Sequence, residues 1–290
     1  MLSRPRTSLD LIPRRVRVHA VRQLAGSMVR TTLRDADADA DADADGADPA
    51  APSSLAALRA AGPEDHVKVF LPDPATGELH PPTVAADGGI QRPTGVVSIS
   101  RELTVRAWRT VDGVAEVDLD WVLHGGGGPA SAWASRAAVG DEVVLVGPSV
   151  SAGVPEGVER LTVVVDETGL PAAARWVEAV GPDVRVTAIV EIGDDVDESF
   201  VESELGHADV EILYRTDGPG QLAEAVRSLG GLDDGELLVA LGEAGELVPV
   251  RRYLRREAGA RPDQLAIAGY WRRGTVNLDP AEPLDPSDPD

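Results

Sequence analysis

The sequence has no cysteine, and this absence removes several kinds of chemistry at once. Without thiols the chain can form no disulfide bond, hold no iron–sulfur cluster and use no cysteine nucleophile. Lysine is nearly absent as well, because Lys68 is the only lysine among 27 basic residues. That bias fits coding from GC-rich DNA better than any functional demand.

Long apolar runs are also missing. No stretch approaches the roughly 20 apolar residues that a membrane-spanning helix needs. Near the N-terminus, residues 9–13 are too short and too charged to form the apolar core of a signal peptide. We therefore expect a cytoplasmic protein without membrane insertion.

Acidic residues dominate the charge, which is −22 in formal terms, but they are unevenly placed. Residues 35–48 hold seven aspartates and residues 279–290 hold five acids, with no lysine or arginine in either segment. Without those twelve acids the remaining charge is −22 + 12, or −10. An acidic chain repels nucleic acids and anionic membranes, so neither is an expected partner. The charge also favours a soluble monomer.

The first half of the chain reads as a series of short strands. Five segments that turn residues separate read as strands, namely residues 14–22, 65–72, 96–108, 116–123 and 141–148, and polar and apolar residues alternate in the first, third and fourth. This pattern predicts an antiparallel β-barrel domain over residues 14–153. The Asp-Ala repeat at about 35–54 interrupts it and predicts a disordered insert, either an expanded surface loop or an acidic interaction segment.

The second half changes pattern and predicts a parallel α/β domain over residues 158–276. Apolar strand segments alternate with helical ones, and such a sheet binds ligands at the carboxyl ends of its strands. The glycine fingerprint G-x-G-x-x-G of dinucleotide-binding folds is absent. Four arginines at 251, 252, 255 and 256 predict a solvated helix face, and residues 277–290 predict a disordered acidic tail.

One glycine-rich segment joins a strand to a helix. Residues 124–134 read His-Gly-Gly-Gly-Gly-Pro-Ala-Ser-Ala-Trp-Ala after the strand that ends at Leu123. Glycines allow close approach of the backbone to a ligand, and we expect Ser131 to cap a helix that starts at Ala132. Free N–H groups at that end would face an anion, which predicts a phosphate site. The alternative is a flexible surface loop.

This segment closely resembles the flavin-pyrophosphate loop of the siderophore-interacting protein family, whose members are flavin-dependent ferric-siderophore reductases related to ferredoxin reductases. Further segments across residues 14–275 resemble that family in the same order. They are His66–Pro72, Arg101–Arg106, Val139–Asp141 with Gly147-Pro148, Asp166–Ala172, Gly242–Gly245 and Gly269–Gly274.

The resemblance implies a barrel that binds FAD, followed by an α/β domain that receives NADPH or NADH, with a ferric siderophore as substrate. The chain itself needs no catalytic side chain and no bound metal, because the cofactor carries the chemistry. Implied cofactor contacts are Arg101, Leu103, Thr104, Arg106, His124, Gly125, Gly128, Ser131, Trp133, Asp166, Thr168, Glu243 and Trp271. Arg272 and Arg273 are implied contacts for an anionic ferric siderophore.

Some of these residues have a second interpretation. Arg106 lies two residues after Thr104, so we expect both on one strand face. Asp166 or Thr168 is placed to cap the following helix, and Glu243 is either a helix N-terminal acid or a pocket acid. The ring of Trp271 is expected to stack on the flavin, or else to pack between the domains.

The sequence departs from the family at three positions. Leu103 replaces a tyrosine that packs on the flavin, Val165 replaces a glycine, and Val239 replaces a tryptophan. A lost ring contact costs about 0.5–1.5 kcal/mol. Two alternatives to a siderophore reductase therefore stay open, namely another flavin reductase or electron-transfer protein, and a non-catalytic siderophore-binding module.

Overall fold

The structure, a computed structural model, describes residues 2–36, 53–85, 89–123, 128–193, 196–276, 278 and 282–288. Two compact units make up the chain. One consists of residues 6–153, and the other combines residues 1–5 with residues 154–290.

The first unit is a closed six-stranded antiparallel barrel with strand order β2-β3-β8-β7-β4-β9. Two short two-stranded sheets, β1-β10 and β5-β6, and one helix accompany it. Its elements are β1 (Arg6–Ser8), β2 (Pro13–Gln23), β3 (Met28–Asp35), β4 (His66–Leu71), β5 (Thr83–Val84), β6 (Ile90–Gln91), β7 (Ile99–Val111), β8 (Val114–Val122), α1 (Pro129–Ala134), β9 (Glu142–Val146) and β10 (Val150–Ala152).

Alternating apolar residues fill the barrel. Val16, Val18 and Leu33 on β2 and β3, with Val67 and Val69 on β4, are at most 1% exposed. Side chains two residues apart on a strand share a face, so this alternation sends one face of each strand inward. β3 is absent from the sequence-based expectation, which began the Asp-Ala insert at residue 35.

Most of that insert lies outside the described residues, which resume at residue 53. Its two flanks are held together. The Asp35 carboxylate accepts hydrogen bonds from the Ser54 hydroxyl at 2.7 Å and from the Leu55 amide at 2.8 Å. The insert therefore departs from and returns to the same place on the barrel.

The second unit is a parallel five-stranded sheet with strand order β13-β12-β11-β14-β15. Its strands are nearly continuous apolar runs, as a sheet covered on both faces requires. The elements are β11 (Arg160–Asp166), α2 (Leu170–Val180), β12 (Arg185–Ile192), α3 (Glu198–Leu205), β13 (Asp209–Tyr214), α4 (Gln221–Leu229), β14 (Glu236–Glu243), α5 (Ala244–Arg256) and β15 (Leu265–Trp271).

Both ends of the chain pack on this α/β unit. The Leu2 amide donates to Asp263 at 2.6 Å, and the Arg4 guanidinium lies 4.8 Å from the ring centre of the buried Trp176. These contacts explain why residues 1–5 group with residues 154–290 rather than with the barrel.

Residues 282–288 differ from the disordered tail that their composition predicts. Asp285 pairs with Arg252 at 2.6 Å, and Asp288 pairs with Arg256 at 3.0 Å and with Arg251 at 3.3 Å. The expectation of a wholly solvated arginine face is wrong for Arg251, which is 6% exposed. Opposite charges on α5 hold a segment that would repel itself in isolation.

Within the part of the chain that the structure describes, no helix is long and apolar enough to cross a bilayer.

Candidate functional site

On the barrel, four predicted ligand-binding residues belong to β7, and helix α1 packs against β7 and β8. Thr104 is buried at 7% exposure, and Arg101 is half-buried with its Nη1 donating to the Ser100 carbonyl at 2.7 Å. Burial lowers the pKa of the Arg101 guanidinium below its ordinary value. A cation that has lost part of its hydration gains from an anionic ligand.

Helix α1 begins earlier than the sequence analysis expects. Gly128 is its N-cap, with no side-chain cap, and Pro129 is its first residue. Ser131 is therefore not the cap but an interior residue that is 8% exposed. Proline explains the shift, because its fixed φ and missing N–H suit the first helical position. A glycine cap contributes no side-chain acceptor of its own to the N–H groups of the first turn.

The residues present fit the pyrophosphate of a flavin dinucleotide. Arg101 supplies a positive charge, and Thr104 and Ser131 supply hydroxyls. The helix start at Gly128, whose cap residue has no side chain, lies on the element that packs against β7 and directs its backbone N–H groups outward along the helix axis. Phosphate oxygens accept from just these groups. His124 and Gly125, the other predicted residues of this segment, lie outside the described residues.

Two predicted cofactor contacts also pack in the barrel core. Trp133 is 4% exposed, and its ring centre lies 5.0 Å from that of Trp121. Leu103 is half-buried and packs against the same apolar cluster. Leu103, which stands where the family has a tyrosine, thus stabilises the barrel by packing against its apolar core.

Arg106 sits at an irregularity that the sequence does not reveal. The pairing of β7 with β8 shifts between Val105 and Ala107, so one extra residue enters β7 there. A bulge interrupts the two-residue alternation of side chains. Two-residue spacing therefore does not by itself place Arg106 on the face of Thr104, and that expectation stays a prediction. Arg106 is half-buried at the bulge.

On the α/β unit, Asp166 at the end of β11 accepts four hydrogen bonds. The Thr168 amide and hydroxyl donate to its Oδ1 at 2.8 and 2.5 Å. The Glu243 amide and the Trp271 indole donate to its Oδ2 at 2.9 and 2.8 Å. Burial raises the pKa of Asp166, against the opposing effect of the Thr168 hydrogen bonds. Asp166 thereby links the ends of three strands, β11, β14 and β15.

Asp166 and Thr168 were the two residues expected to cap α2, but neither of them does. The N-cap is Gly169, and Pro171 follows in the first turn. A Cβ on Gly169 would lie 2.6 Å from the Leu241 carbonyl and 3.0 Å from the side chain of Val165. The fully buried Val165, where the family has glycine, therefore lies against this turn and leaves room only for glycine.

An ion triad of two buried acids and a half-buried arginine lies beside Asp166. Arg215, which follows β13, donates through Nη2 to Glu167 and through Nε to Glu191 at 3.0 Å. Burial lowers the pKa of Arg215, but Glu167 and then Glu191 raise it above its ordinary value. The second oxygen of Glu167 accepts from the Gly193 amide at 2.6 Å.

Of the two roles expected for Glu243, the structure shows the helix N-terminal acid, because Glu243 is the N-cap of α5. Its Oε2 accepts from the Glu246 amide at 2.8 Å, and its Oε1 accepts from the Arg273 amide at 3.0 Å. Both oxygens therefore bind backbone. Glu246 in turn accepts from the Gly220 amide at 2.7 Å. We call the five acids at these strand ends the carboxylate edge: Asp166, Glu167, Glu191, Glu243 and Glu246.

The two predicted siderophore contacts, Arg272 and Arg273, differ in exposure and in hydrogen bonding. Arg272 donates to the Leu284 carbonyl at 3.1 Å, while its Nε is buried without a hydrogen-bond partner. Arg273 is exposed. Despite the acids, no group of three or more potential metal ligands forms among the described residues.

The sequence analysis missed Glu167, Glu191 and Arg215. Glu191 had a usable signal, because it is the penultimate residue of the second strand of a nucleotide-type sheet, near the place where an acid commonly meets a ribose. Arg215 had none, since only the pairing of β12 with β13 brings it to Glu191.

Comparison with known proteins follows the division into two units. Residues 51–152 match the family model of the siderophore-interacting FAD-binding domain, and residues 158–274 match that of the siderophore-interacting protein. Together these ranges cover most of the chain.

Individual relatives agree. Ferric vibriobactin reductase ViuB of Vibrio cholerae is 29% identical over 223 residues, 73% of this chain and 79% of that protein. The NADPH-dependent ferric-chelate reductase of Escherichia coli is 35% identical over 154 residues, 51% of this chain and 57% of that protein. The crystal structure of a siderophore utilization protein from T. fusca has a TM-score of 0.79 and 32% identity, covering 96% of this chain and 99% of that one. The chain therefore belongs to the siderophore-interacting protein family.

Proposed function

We propose that this protein is an FAD-dependent reductase of ferric siderophores that takes electrons from NADH or NADPH. The observation that carries the proposal is the pair of family matches. An FAD-binding model covers the barrel, and a siderophore-interacting model covers the α/β unit. The names of the Vibrio cholerae and Escherichia coli relatives support the reaction class.

Reduction releases iron because hard oxygen ligands hold Fe(II) less tightly than Fe(III). A bound flavin supplies the step from a two-electron hydride donor to a one-electron acceptor. Electron balance then requires that one NAD(P)H become NAD(P)⁺ and H⁺ while two Fe(III) become two Fe(II).

The chain contributes binding and orientation. We assign the flavin pyrophosphate to Arg101, Thr104, Gly128 and the first turn of α1. Support comes from the half-buried cation and the helix start without a side-chain cap. Trp133 and Leu103, which the resemblance also implies, stabilise the barrel that carries these groups.

For the siderophore we assign Arg273, which is exposed beside the carboxylate edge, and Arg272. Their positive charge suits an anionic ferric chelate in an otherwise acidic protein. Asp166, Thr168, Glu243 and Trp271 position the strand ends where the electron donor binds. They do so through hydrogen bonds to one another.

The test begins with the visible spectrum of the purified protein during titration with FAD. We expect flavin binding and, under anaerobic conditions, bleaching by NADH or NADPH. Adding a ferric tris-catechol complex should then reoxidise the flavin and yield Fe(II), trapped by a ferrous-specific chelator at two per NAD(P)H.

Other outcomes separate the alternatives. Protein that takes up no FAD refutes every flavin-reductase assignment and leaves a siderophore-binding module. Reduction of free flavin or quinone with none of the ferric chelate points to another electron-transfer protein on the same scaffold.

We further propose that the protein acts in the cytoplasm as a monomer and binds no nucleic acid. The support is the net charge of −22, which repels polyanions and like copies. Light scattering behind gel filtration tests the monomer, and cell fractionation tests the compartment.

A further inference from the structure

Glu191 occupies a defined place in the α/β unit. It lies one residue before the end of β12, the second strand of the parallel sheet, and pairs with Asp166 on one side and Leu213 on the other. It is 5% exposed. In open α/β sheets that bind dinucleotides, an acid after the second strand accepts a hydrogen bond from the adenosine ribose.

One carboxylate oxygen of Glu191 accepts no hydrogen bond from the described residues. Its Oε1 accepts from Arg215, but its Oε2 is buried and accepts no hydrogen bond from any described residue. Only one other side-chain atom among those residues shares this condition, the Nε of Arg272. Buried polar atoms normally have partners, so an exception points to a missing group.

The charges around Glu191 decide which group fits. Arg215 is the cation that could meet a 2′-phosphate, but Glu167 and Glu191 both already hold it. The triad therefore carries one net negative charge, and Glu246 and Asp166 lie near enough to raise the pKa of Glu191 further, in addition to its burial. A phosphate here would face like charge, whereas a hydroxyl would donate to Oε2.

We propose that Glu191 is the residue that selects the electron donor: its Oε2 accepts the 2′-hydroxyl of the adenosine ribose of NADH and disfavours the 2′-phosphate of NADPH. The inference rests on the proposed function, because it assumes a nicotinamide dinucleotide at this sheet edge. It gives this chain a donor preference opposite to the one in the name of the Escherichia coli relative.

Fragments without nicotinamide test the ribose site alone. Calorimetry would measure the binding of 5′-AMP and of adenosine 2′,5′-bisphosphate to the full chain. We expect 5′-AMP to bind at least about tenfold more tightly. The substitution Glu191→Gln removes the charge and keeps the shape, so the ratio should fall about tenfold.

A matched control is Glu202→Gln, which removes an equal charge from the exposed face of α3 in the same unit. It should leave the ratio unchanged, and thermal unfolding of both variants should confirm that they fold. Tighter binding of the bisphosphate by the wild type overturns the proposal. So does binding of neither fragment at millimolar concentration, or a ratio that Glu191→Gln and Glu202→Gln change equally.

Steady-state kinetics with the FAD-loaded protein complete the test. The ratio of kcat/KM for NADH to that for NADPH should follow the fragment ratio in each variant. If the protein prefers 5′-AMP to the bisphosphate but reduces no ferric chelate, the proposed reductase activity is contradicted and the ribose-site proposal still stands. If the protein reduces ferric chelate but Glu191→Gln does not change the ratio of kcat/KM for NADH to that for NADPH, only the ribose-site proposal is contradicted.

Discussion

Gly242 is the position at which a single methyl group should disturb the carboxylate edge. A Cβ there would lie 2.7 Å from Oδ2 and 2.8 Å from Cγ of Asp166, and its φ of +152° is one that other residues rarely adopt. The strained backbone costs about 1–3 kcal/mol. Forcing extra volume into a packed site costs about 1–3 kcal/mol more. Gly242→Ala should therefore lower the free energy of unfolding by about 2–6 kcal/mol.

Gly181 provides the matched control within the same unit. Its φ is +75°, and a Cβ there would meet nothing within 4 Å. Gly181→Ala should cost only the backbone strain, about 1–3 kcal/mol. The difference between the variants then measures the contact with Asp166.

Urea unfolding followed by far-UV circular dichroism suits this comparison, because four of the five α-helices of the described residues, α2–α5, belong to the α/β unit. Equal losses in the two variants would refute the reasoning. They would mean that the Asp166 carboxylate moves aside freely and does not fix the ends of β11, β14 and β15.

Three further predictions concern single side chains. Arg101→Ala should weaken FAD binding about 10–100-fold through loss of a charge-assisted hydrogen bond, as flavin fluorescence would show. The exposed control Arg22→Ala should not, and equal effects would contradict the assignment. Trp271→Phe removes one donor to Asp166 and should cost about 2 kcal/mol by urea unfolding, while an unchanged midpoint would show that water replaces the indole. Burial, the largest cause, raises the pKa of Glu191 in the folded protein above its ordinary value of 4.5. The contribution of Glu191 to the free energy of unfolding is therefore complete below pH 4.5 and is lost as the pH rises through the pKa of the folded state. The stability of the wild type relative to Glu191→Gln should thus fall between acidic and neutral pH, and parallel stability curves would refute this.

Sequence patterns were sufficient for the two-part architecture. The barrel and the parallel α/β sheet that they predict are the observed folds, because apolar alternation and strand–helix alternation are each compatible with only a small set of compact architectures. Helix α3 escaped notice because only Val201 and Leu205 are buried in an otherwise polar segment. The shift between Val105 and Ala107 escaped as well, since no residue type there marks a bulge.

The candidate site was only partly predictable for a different reason. Asp166 and Trp271 are 105 residues apart, and their hydrogen bond exists only because β14 lies between the strands that carry them. Glu191 follows an apolar run and reads alone as a polar strand end. Its unused oxygen and its shared arginine are properties of the packed sheet, which no local pattern encodes.

The contacts at the two chain ends have a consequence for synthesis on the ribosome. The barrel is one contiguous segment, residues 6–153, so it can fold while the remainder is still being translated. The α/β unit must wait longer, because Asp285 and Asp288, which pair with arginines of α5, are translated well after the barrel segment. Translation order thus favours a nascent chain whose flavin-binding half is complete before its donor-binding half begins to close.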